Sequence, residues 1–72
     1  MIQKETYIEL LSQGVSLEVG QLSICPLRRF GKEVYQVHCD DYREQFSHIH
    51  KDIVDAVEEF LQAKGKFYRN RV

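Results

Sequence analysis

At 72 residues the chain buries only about 60% of the surface its unfolded state exposes, which excludes a second hydrophobic core and hence a second domain. A hydrophobic share of 43%, a charged share of 29% and eight aromatics (four Tyr, four Phe) exclude a disordered chain. Ten Lys and Arg against eleven Asp and Glu leave a formal net charge of -1, so any attraction to nucleic acid or membrane must come from a local patch.

The first residues lack the basic flank and long apolar run of a signal peptide, and no apolar stretch approaches the roughly 20 residues of a membrane span. The expected location is the cytoplasm, without membrane association. There the two cysteines, Cys25 and Cys39, are expected as reduced thiols. Ile2, Tyr7, Ile8, Leu10 and Leu11 recur at helical spacing and stop at Gly14. This predicts a helix from Gln3 to Gln13 closed by a left-handed glycine, with Val15 packing back on Leu10.

From Ser16 the period becomes two. Leu17 and Val19 alternate, then Leu22 and Ile24 alternate on the other parity, which predicts one strand to about Phe30 with a bulge at Gly20. Pro26 points its missing donor outward or marks an edge. Gly31-Lys32 reads as a two-residue type II′ turn, pairing Phe30 with Glu33, Arg28 with Tyr35, Pro26 with Val37 and Ile24 with Cys39. Asp40-Asp41 reads as a second such turn, leading into a third strand from Tyr42 to Ser47. One face then carries Leu22, Ile24, Tyr35, Val37, Cys39, Tyr42 and Phe46, with Glu44 as its flaw.

After His48 the period returns to 3.6, and Ile49, Ile53, Val54, Val57, Phe60 and Leu61 form one apolar stripe ended by Gly65. The compact domain is expected over 1–66, with 67–72 as a basic and aromatic tail. The fold class is α+β, in the order α-β-β-β-α. It is expected as a three-stranded antiparallel meander with both helices packed on one face. The other face, left open, would carry Cys25, Leu27, Arg29, Val34, Gln36, His38, Arg43, Gln45 and Ser47.

Chemistry-bearing clusters are few. His38, Cys39, Asp40 and Asp41, with His48 and His50 downstream, hold ligand types in none of the standard zinc spacings, and His38 and Cys39 fall on opposite faces. No metal or cofactor is expected. Cys25 opposite His38 would suit a thiolate-imidazole pair, but nothing supplies an oxyanion hole, so a non-catalytic protein is expected. Basic residues interleave with aromatics around Arg28, Arg29 and Lys32, and again around Lys66, Arg69 and Arg71, a pattern suited to nucleic acid. Asp55, Glu58 and Glu59 form a like-charged stripe on the second helix, suited to a basic partner.

The α-β-β-β-α order resembles the double-stranded RNA-binding domain, a family of similar length. The resemblance is one of topology. That family's Gly-Pro-x-His signature is absent, and at the start of the second helix only Lys51 and the flanking histidines His48 and His50 correspond to its lysine-rich opening. A meander followed by an amphipathic helix is also similar to antitoxins of the HicB type, and the size and composition are similar to small phage-encoded inhibitors. The leading expectation is a regulator or inhibitor that binds a protein partner. It would do so through Leu27, Arg29, Val34, Gln36, His38, Arg43 and Gln45 of the open face and through Asp55, Glu58 and Glu59. The alternative is RNA binding through Arg28, Arg29, Lys32, Lys66, Arg69 and Arg71, and a homodimer is a third expectation.

Overall fold

A computed structural model describes residues 4–67. The elements run α1 (Lys4–Ser12), β1 (Leu17–Val19), β2 (Leu22–Arg29), β3 (Lys32–Asp41), β4 (Glu44–His50) and α2 (Ile53–Phe67). The strands form one antiparallel sheet in the order β1-β2-β3-β4, so the class is α+β with four strands in place of the expected three.

The extra strand comes from Gly20. The parity switch there is a reversal and not a bulge: Gly20 adopts φ 59° and turns the chain so that Leu17 pairs with Ile24 and Val19 with Leu22. Both halves therefore present their apolar residues to the same face. The β1–β2 ladder stops at Ile24. One hydrogen bond explains why. Asp40 N–H donates to Gln21 C=O at 3.0 Å, so even-numbered residues of β3 bond toward β2, and by alternation Leu22, Ile24 and Pro26 direct their amides toward β1. Pro26 has no donor to give, and pairing ends before it.

The β2–β3 turn is Phe30-Gly31, one residue earlier than expected, with φ 53° and 78°. Both central residues are left-handed, as a type I′ turn requires. Ile24 thus faces Val37, Pro26 faces Tyr35, and Cys25 faces Gln36 instead of His38. The β3–β4 turn is Tyr42-Arg43 and not Asp40-Asp41. It is held by Asp41, which is 6% exposed and whose carboxylate accepts from Arg43 N–H at 2.9 Å, Nε at 3.0 Å and Nη2 at 2.9 Å. Arg43 therefore belongs to a turn and not to the open face. β4 runs on to His50, so Ile49 is a strand residue on the open face and not part of the helical stripe.

α1 ends as expected. Gly14 has φ 87°, its N–H bonds Leu11 C=O at 3.0 Å and Val15 N–H bonds Leu10 C=O at 3.0 Å, the paired bonds of a Schellman closure. Asp52 caps α2: its Oδ1 accepts from Val54 N–H at 2.8 Å and its C=O from Ala56 N–H at 3.1 Å. Gly65 does not end α2, which continues to Phe67. Residues 68–72, including Arg69 and Arg71, lie outside the described residues.

One buried cluster joins Tyr7 and Leu11 of α1, Ala56, Val57, Phe60 and Ala63 of α2, and Leu22, Ile24, Tyr35, Val37 and Cys39 of the sheet. α2 lies over β2, β3 and β4, whereas α1 packs chiefly on α2 and meets the sheet mainly at β2. No described element covers the opposite face.

Candidate functional site

That open face has an internal order set by the register. Nearest the Phe30-Gly31 turn, Leu27 lies beside Val34, with Lys51 one residue past the end of β4; next comes Cys25 beside Gln36 and Ile49, then Ser23 beside His38 and Ser47, then Asp40 beside Gln45. Apolar groups thus gather at the hairpin end and polar ones at the far end. Gln36 Nε2 donates to Ser47 Oγ at 2.6 Å and Gln45 Nε2 to Asp40 Oδ1 at 3.1 Å. Of the residues expected here, Leu27, Arg29, Val34, Gln36, His38 and Gln45 do share the face, and Ile49 and Lys51 join them.

The hairpin end is built against local preference in three ways. Phe30 holds a left-handed backbone that strains a side-chain-bearing residue by about 1–2 kcal/mol. Its ring is 100% exposed, so no burial repays the strain. Arg29 and Lys32 stand directly opposite one another, and facing like charges destabilise a sheet. Arg28, on the inner side, is tied back: its Nη1 donates to Gly31 C=O at 3.3 Å and its Nη2 lies 3.8 Å from Glu33. Arg29, Phe30, Lys32, Glu33, Val34 and Lys51 line a groove of about 400 Å³. Its floor includes Val34, only 8% exposed although no layer covers it. An apolar floor, a projecting ring and three cations fit an acidic surface that offers an apolar contact.

The remaining expected residues are placed elsewhere. Glu58 accepts from Lys4 Nζ at 2.7 Å, linking the two helices and raising the pKa of that ammonium. Glu59 is clamped by two histidines, with His48 Nδ1 at 2.5 Å from one oxygen and His50 Nε2 at 2.6 Å from the other. The acidic stripe is therefore largely spent inside the molecule, and Asp55 is left exposed beside it. Lys66 bonds Glu44 at 3.0 Å, at the end of the sheet away from Phe30, so the basic residues expected to act together are divided between two ends.

The His48–Glu59–His50 clamp was only half visible in the sequence, where the two histidines share a face if extended but stand beyond the expected end of the third strand at Ser47. Their i, i+2 spacing in a strand puts them on one face, which here is the inner one. Burial pushes the Glu59 carboxyl up, but the bonds from His50 and His48 and their charge outweigh it and hold the group below its ordinary 4.5. A carboxyl depressed on folding adds stability that is complete above the ordinary value and is lost as pH falls through the lower, folded value. Glu59→Gln is expected to cost about 1–2 kcal/mol at pH 7 in urea titrations. The gap from the parent should narrow once pH falls below the ordinary carboxylate value of 4.5.

Among the described residues no group of three or more His, Cys, Asp or Glu is placed to hold a metal ion, and no helix is long and apolar enough to cross a membrane. Compared with protein-family models, with curated proteins and with solved structures, the chain matches none.

Proposed function

We propose that the protein is a binding module that acts as a regulator or inhibitor by occupying the surface of a protein partner with the hairpin end of its open sheet face. The observation that carries this reading is Phe30, a fully exposed ring on a left-handed backbone at the tip of a tight turn. Strain persists where the surrounding structure enforces it and use retains it. An exposed aromatic flanked by arginine and lysine has the composition of an interface hot spot. The reading is non-catalytic. Cys25 faces Gln36 and His38 faces Ser23, so the two are diagonal neighbours and not the directly opposed thiol-imidazole pair that the sequence suggested.

RNA binding is the second reading, and the cations around Phe30 favour it. Against it, the open face itself carries, apart from His38, aliphatic and polar side chains, and no Phe, Tyr or Trp stands on its strands as a platform for stacking bases.

Pull-down of the tagged protein from a host-like lysate, split into nuclease-treated and untreated halves, separates the two. A protein that survives nuclease supports the module; nucleic acid alone, held with a steep salt dependence, moves the assignment to RNA. Lys32→Glu sharpens the test. It places a carboxylate opposite Arg29 and should stabilise the fold by about 0.2–1 kcal/mol in urea titrations while weakening capture of the partner. Unchanged capture would show that the groove cations do not touch the partner.

A further inference from the structure

The sheet has two edges of different character. β1 covers only three residues of β2, and Pro26 lies just beyond it. β4 is a seven-residue edge, Glu44–His50, without proline, lysine or arginine, the residues that usually guard an exposed strand. The bond from Asp40 N–H to Gln21 C=O fixes the direction of its amides. Even-numbered residues of β3 face β2, so odd-numbered ones face β4 and meet Glu44, Phe46, His48 and His50. The N–H and C=O groups of Gln45, Ser47 and Ile49 are consequently directed away from the sheet.

We propose that these groups pair with the same groups of a second copy, antiparallel about a two-fold axis through Ser47, joining two sheets into one. The register follows from the sequence of the edge. Centring on Ser47 engages all seven residues: Gln45 meets Ile49 of the second copy and Ser47 meets Ser47, so every outward N–H and C=O is satisfied. On the inner face Glu44 comes opposite His50 of the second copy and Phe46 opposite His48, unlike groups facing one another. A parallel arrangement would set Glu44 beside Glu44, and facing like charges destabilise a sheet. A hollow of about 160 Å³ between β4 and α2, lined by Glu44, Phe46, Glu59, Gln62, Ala63 and Lys66, leaves space on that flank for the second copy's inner-face side chains. A core this small also gains from a partner subunit. The edge ends one residue before Lys51 of the groove but includes neither Phe30, Arg29 nor Lys32, so the dimer and the binding function are tested at different residues.

Sedimentation of the full chain over a concentration series should show a monomer–dimer equilibrium. Ser47→Pro should shift it to monomer. Proline there removes an outward N–H and leaves the ladder to β3 intact, which circular dichroism checks. A pair of cysteine variants in a Cys25→Ser background tests the register whatever proline does to folding. Ser47→Cys places two thiols side by side across the axis, and a short bifunctional thiol reagent should join them. Gln45→Cys separates them by four residues, about 13 Å, and should not be joined. A chain that sediments as monomer at every concentration, or that is joined at 45 as readily as at 47, overturns the proposal.

Discussion

Phe60→Ala is expected to leave the chain without a cooperative thermal melt. Phe60 is fully buried, meets Tyr7 edge-on at 5.6 Å and 64°, and lies where α1, α2 and the sheet converge. Truncating such a phenylalanine costs about 3–5 kcal/mol, from lost transfer energy and the cavity left behind. A domain of this length has only about 3–5 kcal/mol of net stability to lose. Circular dichroism melts decide the matter, because a variant that keeps a sharp transition near the parent temperature would mean that Phe60 is not the keystone described. Phe60→Leu, which keeps most of the volume, should melt cooperatively at a reduced temperature.

Phe30→Gly is expected to move stability and binding in opposite directions. Glycine adopts the left-handed backbone freely, so relief of about 1–2 kcal/mol of strain, less about 0.5–1 kcal/mol for glycine's extra freedom when unfolded, leaves a small net gain. Loss of a central aromatic anchor typically costs about 2 kcal/mol or more in affinity, roughly thirtyfold. Urea titration reads the first effect, and calorimetry against the captured partner reads the second. Phe30→Tyr, which keeps ring and backbone, should change neither much. Undiminished affinity in the glycine variant would remove the hairpin from the interface. A loss of stability would mean that the ring packs on something within the molecule.

Both outer elements of the fold were legible because their periods are long: the stripe from Ile53 to Leu61 and the stop at Gly14 need no knowledge of distant residues. The strands were legible by face but not by register. Moving a two-residue turn by one position changes each pairing by two residues, which preserves the inward or outward sense of every side chain. The agreement of apolar faces therefore could not tell Gly31-Lys32 from Phe30-Gly31, or Asp40-Asp41 from Tyr42-Arg43. The Asp41 signal was real but belonged to the first position of its turn. Glu44, which looked like a flaw opposite Val37, lies opposite Asp41 at the rim and bonds Lys66. Gly20 and Gly65 misled in opposite ways, because glycine permits a reversal but does not compel one. The open face was legible in eight of its residues, all those expected there except Arg43. The His48–Glu59–His50 clamp was not, since it depends on where β4 ends and which side of α2 faces it.

The three two-residue turns bear on how the chain reaches this structure. Each hairpin closes a loop of minimal length, so the meander assembles through contacts close in sequence at little entropic cost. The expensive closure is that of α1 on α2, whose Lys4–Glu58 ion pair spans 54 positions. α1 is therefore expected to dock after the sheet and α2 have met, so that in stopped-flow measurements Leu11→Ala should accelerate unfolding while leaving the folding rate nearly unchanged.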